Sequence, residues 1–252
     1  MFDLGSINLN NYKTVKIIYH VVAEAPAGDS ANFGSNILCG STSIDSRYGG
    51  AQTVDVKALA TAKGVTSFDS LEISLSTWSK VHKYYIYVAS IEFVLNPQSV
   101  TYSVANGNIM GIATPLNGGT LSQVDSFNFN TASVSKAPAL VYTYESATAI
   151  SADHTAGVKF NLGNIELADY KSIKVVAYAK KADGSNANLG FVFCDGTNVL
   201  SEYGGGKEFD LVALATAKGL TSFSELEISL QGWAGGNSYV LYVAFIDIVV
   251  AE

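Results

Sequence analysis

Few side chains in this sequence are of the kinds that make and break bonds, and their spacing limits what they can do. Glu72 and Glu227 recur at the same place in two copies of the segment LEISL, Leu71–Leu75 and Leu226–Leu230. Glycoside hydrolysis needs two carboxylates flanking one bond. Glu225, next to Glu227, is replaced by Ser70 in the other copy, so a carboxylate pair is not part of the shared design. A solvent-facing strand glutamate is the expected meaning. His20, His82 and His154 stand far apart, without the close spacing of a zinc site. No nucleophile elbow, dinucleotide fingerprint or phosphate loop occurs. Cys39 and Cys194 fall at matching places on apolar stretches, which predicts buried, inert thiols. Catalysis is not expected.

The pattern suits binding better. Along the repeated strand, Leu71, Ile73 and Leu75 take one face, while Glu72, Ser74, Ser76 and Trp78 take the other. The second copy places Glu227, Ser229, Gln231 and Trp233 in the same way. A Trp on a polar face is what a sugar needs: its C–H face covers the ring and its hydroxyls meet short polar groups. The longer strand before it presents Lys16 and His20, or Lys174 and Tyr178, on its more polar side. Trp233 is thus the expected principal contact, ringed by Tyr178, Gln231 and Lys174, with Trp78, His20 and Lys16 as its counterparts. The alternative is a turn at Thr77 or Gly232 that tucks the indole into the core. Tyr48 and Tyr203, each followed by Gly-Gly, are a second candidate for exposed rings. Tyr12, Tyr170, Tyr87 and Tyr242 are expected in the core, and Tyr142 and Tyr144 fit either setting.

These residues must be positioned by strands. Thr14–Ala23 alternates Val15, Ile17, Tyr19 and Val21 against Lys16, Ile18, His20 and Val22. Asp55 and Asp210 each open one short helix that Lys-Gly closes, at Gly64 and Gly219. Tyr84–Leu95 is apolar on both sides, as a central strand covered on both faces would be. Val100–Thr114 reads as a hairpin about Asn106-Gly107, and further strands are expected at Ser126–Phe129 and Ala139–Tyr144.

The whole arrangement occurs twice. Tyr48–Leu95 and Tyr203–Val250 agree at 26 of 48 positions without a gap, and FDLGSINLNNYKTVKI at Phe2 matches FNLGNIELADYKSIKV at Phe160. The segment from Gln98 to Gly157 has no counterpart before Phe2. Two repeats are therefore expected, 1–96 incomplete at its start and 98–252 complete, although an insertion between two short sandwiches would give the same lengths. Charged residues are 15% of the 252, aromatics 11%, and the net charge of −7 carries a single arginine, Arg47. That excludes nucleic acid on electrostatic grounds. No apolar run approaches the roughly 18 residues of a membrane span. No leader is visible, and Met1 lies directly against the repeat, as in a piece of a longer polypeptide.

Many short strands, turn signals and one connecting helix per copy predict an all-β antiparallel sandwich. The stretches VKFNLGNIELADYKSIKVVAYA (Val158–Ala179) and SYVLYVAFIDIVV (Ser238–Val250) resemble the galactose-binding-like jelly rolls that serve bacterial glycoside hydrolases as carbohydrate-binding modules. The resemblance implies a tandem, non-catalytic, polysaccharide-binding function, on plant cell-wall glycans, in a secreted multimodular enzyme outside the cell or at its surface. A structural or adhesive repeat of a bacterial cell-surface protein is the alternative. The family also implies a structural calcium held by an Asp two places before the closing strand's core Ile. Ala244 and Ala89 stand there, with Asp247 and Glu92 one residue after the Ile.

Overall fold

A computed structural model describes residues 1–28, 33–77, 83–145, 156–181, 184, 191–201, 204–230 and 238–251, and within 33–77 gives no side-chain placement for residues 76 and 77. The chain divides into two compact units, Met1–Asn96 and Pro97–Glu252. The first contains β1 (Phe2–Asn8), β2 (Tyr12–Glu24), β3 (Phe33–Cys39), β4 (Thr42–Tyr48), β5 (Gly50–Asp55), α1 (Val56–Ala62), β6 (Ser67–Thr77) and β7 (Lys83–Leu95). They form a four-stranded sheet in the order β1-β6-β3-β4 and a three-stranded sheet in the order β5-β2-β7. Between the two lies a core of Val15, Ile17, Tyr19 and Val21 from β2, Ile37 and Cys39 from β3, and Leu71 and Ile73 from β6. The inward parity expected of β2 and β6 is the one observed. A buried hydrogen bond of 2.8 Å joins the Tyr19 hydroxyl to that of Ser35, satisfying both inside the sandwich.

The second unit adds four strands ahead of the same plan: β8 (Val100–Ser103), β9 (Ala113–Pro115), β10 (Thr120–Asn128) and β11 (Lys136–Glu145). Then follow β12 (Ala156–Glu166), β13 (Tyr170–Lys181), β14 (Phe191–Cys194), β15 (Thr197–Ser201), β16 (Gly205–Asp210), α2 (Leu211–Ala217), β17 (Ser222–Leu230) and β18 (Ser238–Val250). One sheet runs β15-β14-β17-β12-β9; the other runs β10-β11-β18-β13-β16, with β8 also on β18. All pairings are antiparallel, and each unit is an all-β sandwich. Both helices begin where the sequence indicated: Asp55 accepts from the Ala58 amide and Asp210 from the Val212 amide.

Two expectations fail. The hairpin about Asn106-Gly107 does not form, because β8 pairs with β18 while β9 pairs with β12 in the other sheet. The turn is real, with Gly107 at φ 69° and its amide on the Val104 carbonyl, but it carries the chain between sheets. The second concerns β7. Its copy β18 is central, flanked by β13 on one side and by β11 and β8 on the other. Among the described residues strand β7 pairs with β2 alone, and Tyr87, expected in the core, is 59% exposed. The strands that cover β18 come from the segment with no copy in the first unit.

Candidate functional site

The site is best built on the outward face of the five-stranded sheet in the second unit. In β17, Phe223, Leu226, Ile228 and Leu230 enter the core, which sends Glu225 and Glu227 outward. In β14, Val192 and Cys194 face in, so Phe191 and Phe193 face out beside them. Register places Glu227 between Lys159 of β12 and Phe193 of β14, with Thr114 and Asn198 continuing the row at either side. The two phenylalanine rings lie 5.5 Å apart, tilted by 56°, and both are half-buried. Lys159 Nζ bridges to Glu225 Oε2 at 3.1 Å. Burial pushes the Glu227 carboxyl above its ordinary range; the Lys159 charge partly offsets this and the Glu225 charge adds to it. Ser229 is fully buried and donates to the Phe191 carbonyl at 3.1 Å, which fixes the end of β14.

This face offers apolar rings next to a carboxylate, an ammonium group and an amide. It can stack a sugar ring and accept or donate hydrogen bonds to its hydroxyls. Both carboxylates lie on one strand two residues apart, with one tied to Lys159, so they do not flank a cleft. The first unit lacks the rings: Asn36 and Leu38 stand where Phe191 and Phe193 stand, beside Glu72 and Ser74. The sequence reading missed the two phenylalanines, although the alternation in FVFC, with Val192 and Cys194 inward, carried the signal.

Among the described residues, Lys174 and Tyr178 of the expected site lie apart from Glu227. Trp233, Gln231, Tyr203 and Trp78 lie outside the described residues. Strand β17 pairs with β12 and β14, not with β13, so Lys174 and Tyr178 belong to the opposite sheet from Glu227. Tyr178 packs edge-on against Phe127 at 5.1 Å, and Phe127 stacks on Tyr242 at 3.7 Å. Lys180 Nζ sits 5.6 Å and 5.3 Å from those two rings. Tyr178 is thus part of a satellite cluster that closes the outside of that sheet. Lys174 is exposed between Asp210 and Asp247 on the neighbouring strands, and Lys16 repeats the arrangement between Asp55 and Glu92. His20 is exposed on β2 between Ala51 and Tyr87, and Tyr48 is 75% exposed at the end of β4. Tyr142 and Tyr144 are core residues.

The thiols behave as expected: both are buried and unbridged, and burial pushes Cys39 up to about 11 and Cys194 up to about 12. Among the described residues no three His, Cys, Asp or Glu side chains converge on a point. Asp247 is engaged by the Thr101 hydroxyl at 2.5 Å. Ala244, at the position where the resemblance places a calcium-ligating Asp, has no side-chain oxygen to offer. Among the described residues no helix is long and apolar enough to cross a membrane.

No family model and no curated protein matches the chain. Among solved structures, one described as carbohydrate-binding modules from the β-sandwich superfamily aligns over 94% of this chain and 99% of its own, at 11% identity and TM-score 0.32. The tandem CBM22-1–CBM22-2 domain of Xyn10C from Paenibacillus barcinonensis aligns over 100% and 85%, at 13% identity and TM-score 0.25. The M60 catalytic domain of ZmpB from Clostridium perfringens, with its CBM51-1 and CBM51-2 domains, aligns over 98% of this chain and 33% of its own, at 8% identity and TM-score 0.25. At such scores the site rests on this chain's own geometry. The chain is similar to carbohydrate-binding modules of the β-sandwich type, in two cases in tandem.

Proposed function

We propose that this protein binds carbohydrate without chemically altering it, through the outward face of the five-stranded sheet in its second unit. The observation that carries this reading is the Phe191–Phe193 pair beside a half-buried Glu227, an apolar and polar mixture that core packing does not require. Phe193 supplies the stacking surface. Glu227 and Asn198 meet hydroxyls, and Lys159 neutralises the carboxylates that would otherwise repel one another. Trp233 follows β17 by three residues in the sequence and is proposed to extend the same surface, with Gln231. The finer reading is a polysaccharide of the plant cell-wall type, met outside the cell or at its surface by one part of a multimodular enzyme. The motif resemblance at Val158–Ala179 supports it.

A glycan array followed by calorimetric titration tests this. Affinities of shallow sugar sites fall near millimolar to micromolar, about −4 to −8 kcal/mol. Phe193→Ala is expected to weaken the best array ligand at least tenfold while the melting curve stays cooperative. A folded Phe193→Ala protein with unchanged affinity would move the site to Trp233 or to the Tyr203-Gly204-Gly205 loop, and Trp233→Ala then decides between them. Absence of any glycan hit would favour the reading as a structural repeat.

A further inference from the structure

Among the described residues none pairs with the second edge of β7, whose apolar side chains are partly exposed, and the protein contains its own template for what belongs there. In the second unit Tyr239, Leu241 and Val243 of β18 are 1%, 0% and 0% exposed, because β11 pairs with that strand. Their counterparts in β7 are Tyr84, Ile86 and Val88; the first two are 55% and 38% exposed. On the outer side, Tyr242 is stacked under Phe127, whereas its counterpart Tyr87 stands in solvent beside Tyr85, ring centroids 6.3 Å apart. An open, long, apolar strand edge is a template for another strand, and soluble proteins seldom leave one uncovered.

We propose that β7 is a docking edge for a β-strand segment of the β8–β11 type, contributed by another copy of this repeat. This goes beyond sugar binding and does not depend on it. The register follows from the second unit. Leu140, Val141, Tyr142, Thr143 and Tyr144 lie opposite Val243, Tyr242, Leu241, Val240 and Tyr239. Shifted by the repeat, the same donor residues lie opposite Val88, Tyr87, Ile86, Tyr85 and Tyr84. Val100–Ser103 would pair with the lower part of the strand at Ser90, Ile91, Glu92 and Phe93, as it does with Phe245–Ile248. Main-chain hydrogen bonds supply affinity, and Leu140, Tyr142 and Tyr144, all buried in the second unit, supply specificity by filling the open end of the core.

One part of the template cannot be copied. A Cβ on Gly206 would meet the Phe129 carbonyl at 2.0 Å, and the first unit has Ala51 there. Glu208, which receives the Ser133 hydroxyl at 2.6 Å, is replaced by Thr53. The connection between the donor's β10 and β11 therefore rides higher over the first unit, and recognition concentrates on the edge of β7.

The test mixes the full chain with a synthetic peptide of residues 136–145, which needs no fold of its own to add as a strand. A one-to-one complex is expected by sedimentation, with slowed amide exchange across Lys83–Val88. Tyr142→Asp placed in the peptide alone leaves the receiving chain untouched and is expected to weaken the complex at least tenfold. No complex, or slowed exchange confined to β18, would each overturn the proposal.

Discussion

Burial holds the Glu227 carboxyl above its ordinary value of 4.5, and the consequence for stability has a definite sign. A folded state with the higher pKa binds more protons than the unfolded chain, so stability is greatest below pH 4.5 for this group and falls as pH rises through the folded value. Glu227→Gln is expected to melt with the parent protein near pH 4 and above it near pH 7, by a few degrees. Parallel melting curves at both pH values would refute the burial argument. The same variant bears on chemistry: pure protein is expected to release no reducing sugar from any polysaccharide, and release abolished by Glu72→Gln with Glu227→Gln would overturn this. At Gly157 an added Cβ would meet the Ile228 carbonyl at 2.2 Å, on the neighbouring strand of the sheet that carries the site. Gly157→Ala is expected to cost about 1–3 kcal/mol in denaturant titration, because backbone and not a flexible side chain must yield.

At the scale of elements, the end of β10 with its connection to β11 works as a cover. It lays Phe127 and Phe129 over the outside of β13 and β18, anchors on Glu208 through Ser133, and presses its backbone against Gly206. Tyr178, which strand parity placed on a polar face, is consumed by that cover. Phe127→Ala is therefore expected to destabilise the second unit by roughly 2–4 kcal/mol while leaving glycan affinity unchanged. Lost affinity in a folded Phe127→Ala protein would return Tyr178 and its sheet to the binding site.

For the molecule as a whole, the two units differ in how completely they bury the same strand plan. The first unit spends β7 as an edge, and its exposed Tyr84, Tyr85, Ile86 and Tyr87 contribute little of the apolar burial that their counterparts contribute. Heating the full chain is expected to give two transitions, with exchange at β7 opening before exchange at β18. Fragments 1–95 and 98–252 melted separately are expected to rank in the same order. A single shared transition would show that the short repeat is as self-sufficient as the long one.

Much of this was written in local sequence. The period-2 alternation in β2 and β6 determined which side chains face the core, since adjacent residues in a strand point to opposite sides. Asp55 and Asp210 determined where the helices start, because a carboxylate at that position satisfies a first-turn amide. The internal match located the repeat, and FVFC already separated Phe191 and Phe193 from Val192 and Cys194. Strand partnership was decided only in three dimensions. Alternation assigns a residue to a face but not a strand to a sheet, so β17 and β13 looked like neighbours when they lie in opposite sheets. For the same reason Asn106-Gly107 looked like a hairpin turn when it carries the chain across the sandwich. The contrast between β7 and β18 is the clearest case. Two corresponding strands, identical at six of 13 positions, differ in exposure because pairing is supplied by residues distant in the chain, and only the second unit has them.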